Sequence, residues 1–364
     1  MKVLHFITRF NAGGTATFLY NLLSTPDKNW EHRVAFGRTN YPEFEDSRIK
    51  EISNIQILSM TKTFRPLEII RTFFEIRRAL LNEQPNIVNT HTSHAGFLVR
   101  LASRTIPVVS RPIVVHTIHG HLLYGYFSPL KTKVYITVER LLSLITDGFI
   151  VPGNIMLKEL KDSRIISPKK EVAVIFPPIS QSPKSWVSTK TPSRNRRLRV
   201  GWMGRLASIK RVDRLVQLAS TTPDVDFFLA GSEQGFNLKE FPKNLNFSNW
   251  TTPETFWSEM DIAILTSDSE GQPLTLLEAA SFGVPALTTS VGSTGDAVIT
   301  GETGFVVPWN LENFRGIILE FQNNQDLLTK MGSAAYLRVA ELYNPKKILN
   351  EHHAFYMKLI RKLT

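Results

Sequence analysis

Two glutamates, Glu270 and Glu278, have seven residues between them in the stretch Ser267-Asp-Ser-Glu270-Gly-Gln-Pro-Leu-Thr-Leu-Leu-Glu278. The stretch reads as a loop that turns straight into a helix. Pro273 suits a first helical turn, where a missing N–H costs nothing. Leu274, Leu277 and Ala280 recur at helical spacing and read as a buried face. The first amides of such a helix lack intrahelical partners and lie at the positive end of its dipole. A phosphate is the natural ligand for that end, and carboxylates on either side of it accept hydrogen bonds from sugar hydroxyls. The combination suits a sugar nucleotide, a diphosphate between two polyols. A pair of glutamates at this spacing is commonplace by itself; the loop-to-helix setting is what gives it chemistry.

Two cations precede this stretch. Leu198–Met203 reads as a strand, Gly204-Arg205-Leu follows it, and Lys210 comes five residues after Arg205. A forked guanidinium and a point-charge ammonium suit a diphosphate, although two such residues are ordinarily surface charges. Near the N-terminus, Lys2–Thr8 reads as a strand, Asn11-Ala-Gly13-Gly14-Thr15 as a tight glycine turn and Ala16–Leu23 as a helix. Glycine lets backbone amides approach an anion, but no Gly-Xaa-Gly-Xaa-Xaa-Gly dinucleotide fingerprint follows the strand. Five histidines fall between positions 91 and 121, with no Asp or Glu among them and no His-Glu-Xaa-Xaa-His. A metal site is therefore not expected. His91, His94, His116 and His121 read as single core or surface histidines.

The run Glu270-Gly-Gln-Pro-Leu-Thr-Leu-Leu-Glu278-Ala, then Phe282-Gly-Val-Pro-Ala and Gly301-Glu-Thr-Gly-Phe-Val-Val-Pro308, resembles the signature of glycosyltransferase family 4. So does Gly204-Arg-Leu-Ala-Ser-Ile-Lys210. The resemblance is strong over residues 199–308 and looser over 1–150. It implies an α/β protein of GT-B architecture, two Rossmann-like domains facing across a cleft, with the donor nucleotide held mainly by the second. It implies retaining transfer of a sugar from a nucleotide diphosphate sugar, expected to be UDP-linked. The acceptor implied is a glycan or a polyprenyl-diphosphate-linked sugar, in cell-surface polysaccharide or glycoconjugate biosynthesis, and no metal cofactor is required. By the same resemblance His119, in a His119-Gly120 pair at a strand end, faces the donor sugar. Gly14, from the glycine pair after the first strand, contributes to donor binding. Glu270 and backbone amides around Gln272–Leu274 hold the donor sugar, and Glu278 takes the ribose hydroxyls. Arg205 and Lys210 neutralise the diphosphate as its glycosidic bond breaks, the principal catalytic term. The apolar, aromatic stretch 122–130 resembles the acceptor-side loop of members that extend polyprenyl-diphosphate-linked sugars. Two departures stand out: Pro177-Pro178-Ile-Ser replaces an Asn-Gly-Xaa-Asp turn, and Val291-Gly-Ser-Thr-Gly-Asp296 replaces a Gly-Gly followed two residues later by Glu. Asp296 is assigned no role. A sugar-nucleotide epimerase on this architecture and a catalytically silent sugar-nucleotide-binding protein are the alternatives.

These residues need strands to carry them. Glu31–Gly37, Ile87–Asn89, Val114–Thr117, Gly148–Val151 and Val172–Phe176 read as strands, as do Phe227–Ala230 and Ile262–Leu265. Helical patterns alternate with them at Leu67–Leu81, Tyr135–Ile145, Asp213–Ala219, Leu327–Leu342 and Lys346–Leu363. Alternation implies mostly parallel sheets with helices on both faces. Ligands of such sheets bind at the C-terminal strand ends, where both histidine clusters fall. The expected domains are residues 1–180 and 198–345, joined by a Pro-, Ser- and Thr-rich linker at 181–197, with the helix 346–364 crossing back to the first.

The chain of 364 residues is long enough for two substantial cores, and its lack of cysteine excludes disulfides, thiolate metal sites and cysteine nucleophiles. No apolar run is long enough to predict a membrane-spanning helix. The start Met1-Lys-Val-Leu-His-Phe-Ile reads as a buried strand and not as an export signal, so a cytoplasmic protein is expected. The net charge of +11 is uneven: residues 1–180 carry 23 Lys and Arg against 14 Asp and Glu, and the remainder 20 against 18. A basic first half points to an anionic partner. No nucleic-acid-binding signature accompanies it; an anionic membrane surface at the inner face of the membrane is expected, with a lipid diphosphate or a solvated basic surface without a partner as the other readings. The helix Leu67–Leu81 places Ile69, Phe73, Ile76 and Leu80 on one face with Arg65, Arg71, Arg77 and Arg78 around it. That pattern suits a helix lying on a membrane, and equally a helix packed on a sheet.

Overall fold

A computed structural model describes the chain apart from residues 12, 26, 40–44, 58, 62–64, 121–127, 181–195, 232–240, 250 and 364. Among the described residues, one compact unit runs to Pro178 and takes up the chain again from Pro345, and the other spans Ile179–Asn344.

The first unit is a seven-stranded parallel sheet. Its strands are β1 (Lys2–Arg9), β2 (Glu31–Gly37), β3 (Asn54–Ile57), β4 (Ile87–Thr90), β5 (Ile113–Thr117), β6 (Gly148–Val151) and β7 (Glu171–Val174). They lie in the order β3-β2-β1-β4-β5-β6-β7. The helices between them are α1 (Gly14–Leu23), α2 (Pro66–Glu83), α3 (Ser93–Arg104), α4 (Pro129–Leu144) and α5 (Asn154–Asp162). Alternation along β1 sorts its side chains. Leu4 and Phe6 join Ile76 and Leu80 of α2 and Leu98, Val99 and Ala102 of α3 in one core cluster. His5 points to the other face, which carries α1 and the C-terminal helix Pro345–Leu363.

The second unit is a six-stranded parallel sheet of β8 (Arg199–Met203), β9 (Asp226–Ala230), β10 (Leu245–Ser248), β11 (Ile262–Leu265), β12 (Ala286–Thr289) and β13 (Gly304–Val307). The order is β10-β9-β8-β11-β12-β13. Its helices are α6 (Val212–Thr221), α7 (Pro253–Trp257), α8 (Leu274–Ser281), α9 (Thr294–Ala297), α10 (Leu311–Asn323) and α11 (Gln325–Leu342). Both units are Rossmann-like, the architecture called GT-B.

Three expectations change. Pro273 is the residue before α8 and not inside its first turn; its carbonyl accepts from the Leu276 and Leu277 amides. The buried residues of α8 are Leu276, Leu277, Ala279 and Ser281, while Leu274 and Ala280 are half-buried. The reason is that α8 packs on β11, β12, α7 and α11 together, so no single stripe carries its burial. Leu130, expected at the end of the apolar loop, lies in the first turn of α4 and is exposed. The rest of that aromatic stretch, His121 and most of the expected linker lie outside the described residues.

Candidate active site

In each sheet the crossovers run in opposite directions from one pair of neighbouring strands, and ligands of open α/β sheets bind above such a switch point. In the second unit the pair is β8 and β11. The loop after β8 carries Arg205 and Lys210, and the loop after β11 carries Glu270, Gln272 and, through α8, Leu274 and Glu278. Lys210 Nζ lies 2.7 Å from both carboxylate oxygens of Glu270. Ser267 donates to Oε1 of the same carboxylate at 2.5 Å. Glu270 is buried and Lys210 half-buried.

The two loops are fastened to each other beside this pair. Arg211 and Arg214 meet Asp268 at 3.1 and 2.7 Å, and the Asp268 amide donates to the Ile209 carbonyl at 2.9 Å. Gly292 closes the site from behind. Its φ is +50°, and a Cβ there would stand 1.7 Å from the Glu270 carbonyl oxygen. Only glycine combines that backbone with that approach.

Lys210 therefore reaches the site with its charge already balanced. Arg205 is exposed and makes no ion pair among the described residues. Lys210, Arg211 and Arg214 beside it are all ion-paired. Glu270 has two oxygens with roughly four acceptor positions; three are taken, which leaves room for one hydroxyl. The Gln272 side chain turns inward and donates to Tyr343 Oη at 3.1 Å. Leu274 is the first residue of α8, and Glu278 is half-buried one turn further on.

In the first unit the switch point lies between β1 and β4. Gly14 follows β1 and is the exposed first residue of α1. His119 follows β5 and is half-buried, edge-on to Phe18 with ring centroids 4.4 Å apart. Its Nε2 lies 2.8 Å from His91 Nδ1. His91 is therefore not the single core histidine its sequence context suggests, because it also meets His5 at 2.9 Å. His5, His32, His352 and His353 carried no motif. They come together only through strand order and the return of the C-terminal helix, so no local spacing signals them. Burial pushes His119 down to about 3, helped by the nearby His352, and holds His5 and His91 well below the ordinary histidine value. The rings are neutral. His116 faces the opposite side, against Thr90 at 2.7 Å. No group of three or more His, Asp or Glu is arranged to hold a metal among the described residues.

Comparison with known proteins gives this arrangement its context. A model described as Glycosyltransferase Family 4 matches residues 12–182, and one described as Glycosyl transferases group 1 matches residues 188–338. Together the two matches span most of the chain, which is a glycosyltransferase whose first half carries a family 4 domain. Among relatives of this glycosyltransferase, the Staphylococcus aureus capsular polysaccharide biosynthesis glycosyltransferase CapM is 21% identical over 87% of this chain and 89% of its own. An Escherichia coli protein named UDP-Gal:alpha-D-GlcNAc-diphosphoundecaprenol alpha-1,3-galactosyltransferase is 24% identical over 80% of both chains. The crystal structure of Anabaena HepE in complex with UDP-glucose superposes with a TM-score of 0.74 at 16% identity, covering 100% of this chain and 99% of that one. No described helix of the glycosyltransferase is long and apolar enough to cross a membrane.

Proposed function

We propose that this glycosyltransferase moves a sugar, with retention, from a UDP-linked donor to a glycan or polyprenyl-diphosphate-linked acceptor in building a cell-surface polysaccharide. The observation that carries the reading is the Lys210–Glu270 pair set between β8 and β11, beside the N-terminus of α8. Free amides at that end suit a diphosphate, Arg205 adds positive charge, Glu270 takes a sugar hydroxyl and Glu278 the ribose. His119 and Gly14 are assigned to the donor by the family resemblance. The UDP-glucose held by the Anabaena structure and the lipid-linked acceptor in the Escherichia coli relative's name support the choice of ligands. Charge on the leaving diphosphate is met by side chains and helix amides, so transfer proceeds without a divalent cation and withstands a chelator.

Two exposed helix faces support a membrane-bound acceptor. On α2, Leu67, Ile70 and Phe74 are exposed in line with Arg71 and Arg78, while Ile76 and Leu80 are buried. On α4, Leu130, Val134 and Leu141 are exposed at helical spacing. Apolar side chains with flanking arginines suit an interfacial position on anionic lipid.

The test is a thermal-shift screen of nucleoside diphosphates and their sugars, followed by product analysis with the ligands that bind. A ligand at a hundred times its Kd stabilises by about 2.7 kcal/mol. Transfer from a UDP-sugar to an acceptor supports the reading. Isomerisation of the donor in its place means an epimerase, and binding without turnover means a silent relative.

A further inference from the structure

Five histidines of the first unit form one unbroken hydrogen-bonded chain. His119 Nε2 lies 2.8 Å from His91 Nδ1, and His91 Nε2 lies 2.9 Å from His5 Nδ1. His5 Nε2 lies 2.9 Å from His32 Nδ1, and His32 Nε2 lies 2.9 Å from His353 Nε2. Successive ring centroids are 5.1–5.2 Å apart. At the far end, His353 Nδ1 lies 3.5 Å from Asp27 Oδ2, while Oδ1 of Asp27 takes the Asn29 amide at 2.7 Å. The strand order β2-β1-β4-β5 sets the rings side by side. His32 lies near the start of β2, His5 within β1, and His91 and His119 just beyond the ends of β4 and β5. The chain thus crosses one sheet face obliquely, toward the edge where the ligand loops emerge.

A neutral imidazole has one N–H and one lone pair. An inner ring held by neighbours at both nitrogens must donate to one and accept from the other. The proton position on each ring then dictates the next, and only two defect-free arrangements exist, one pointing toward each end. Asp27 decides between them, because an ionised carboxylate only accepts. It favours N–H at His353 Nδ1, which leaves His353 Nε2 to accept from His32. His32 accepts in turn from His5, His5 from His91, and His91 from the Nε2–H of His119. Nδ1 of His119 is left with a bare lone pair and has no hydrogen-bonding partner among the described residues.

We propose that Asp27, His353, His32, His5 and His91 are positioning residues that hold His119 in its Nε2–H tautomer, so that its Nδ1 accepts a hydroxyl of the donor sugar. This rests on the reading of His119 as donor-facing. Burial keeps every ring of the chain neutral, as the directional argument requires. The other groups facing the chain, the N-terminal ammonium near His32 and the His352 ring, oppose a protonated ring and so favour the same state.

The direct test is nitrogen-15 spectroscopy of histidine-labelled full-length protein at neutral pH, which separates the two tautomers ring by ring. His353 is expected as Nδ1–H and the other four as Nε2–H; an Nδ1–H tautomer at His119 overturns the proposal without any variant. Asp27→Leu removes the bias, so His119 is expected to show a mixture of tautomers. Asp27→Asn, which keeps the shape, is expected to shift the mixture less. An unchanged His119 spectrum in a folded Asp27→Leu protein refutes the coupling. Kinetics form a separate arm. In Asp27→Leu the KM for the sugar nucleotide is expected to rise about tenfold, the scale of one lost hydrogen bond, with kcat and the affinity for free nucleoside diphosphate unchanged. Altered tautomers with unaltered KM mean that His119 does not meet the sugar, and a matching loss for the free diphosphate overturns the specific role.

Discussion

Lys210 and Glu270 come from different loops, and neither is free to act alone. Lys210→Ala removes a cation and also leaves a buried carboxylate with Ser267 as its one remaining hydrogen-bond donor among the described residues, facing an anionic ligand. Turnover is expected to fall about a hundredfold or more, the scale for one lost transition-state donor. Adding Glu270→Gln to that variant takes away the uncompensated charge. The double mutant should therefore lose much less than the product of the two single losses, as contacting residues do. Strictly multiplicative losses in kcat/KM contradict the pairing. The family resemblance assigns Glu278, on α8, to the ribose. Glu278→Gln turns an ionised acceptor of hydroxyls into a neutral one, so affinity for the nucleoside diphosphate should drop while affinity for its 2′,3′-dideoxy analogue stays nearly constant. If both ligands weaken alike, the ribose assignment fails. Arg205, Lys210, Glu270 and Glu278 are legible in the sequence because each sits inside a local motif at a strand end. The mutual neutralisation of Lys210 and Glu270 is not, because it depends on β8 and β11 being neighbours.

The elements carry what the residues cannot show. Strands β2 and β6 fall where alternation and buried runs place them, and α2 buries Ile76 and Leu80 as its spacing predicts. Short strands such as β3 and β10 leave no mark in the sequence, since four residues with exposed and half-exposed positions carry little periodic signal. Gly292 lies in a loop that departs from the family pattern and carries no sequence signal of its own, yet it is what the Glu270 backbone rests against. Gly301 makes the control. Its φ is +83°, but a Cβ there meets nothing within 4 Å. Gly301→Ala should cost about 1–2 kcal/mol, the strain of a left-handed backbone. Gly292→Ala adds a clash with the Glu270 carbonyl to that strain. It should cost clearly more in urea denaturation and should lower turnover through a displaced Glu270. Equal costs at the two glycines contradict the close approach.

At the scale of the molecule, charge and burial set how the protein answers to its medium. The basic first half, the apolar, arginine-flanked outer face of α2 and the apolar outer face of α4 predict sedimentation with anionic vesicles and not with neutral ones. Salt should release only part of the bound protein, because it screens the arginines and leaves apolar contact intact. Leu67, Ile70 and Phe74 changed together to serine should remove most of the salt-resistant fraction, and no binding to anionic vesicles at low salt rules the surface out. The buried and half-buried histidines set the response to acid. His32 and His119 are pushed down to about 3, and His352 and His353 to about 4, in each case chiefly by burial. His5, His91 and His116 are held well below the ordinary value for the same reason. In the unfolded chain these rings titrate near about 6.5. Between those limits the unfolded state binds protons that the folded state refuses. Stability is therefore full above pH about 6.5 and falls as the pH drops toward the folded values. Each proton taken up on unfolding steepens the fall by about 1.4 kcal/mol per pH unit. Urea denaturation across that range should report uptake of at least about four protons near the middle of it. Replacing His5 with phenylalanine should make the slope shallower by about one proton if its ring is neutral in the fold. A stability profile that stays level from neutral pH down to the folded values contradicts neutral, buried rings, and with them the directional hydrogen-bonded chain that ends at His119.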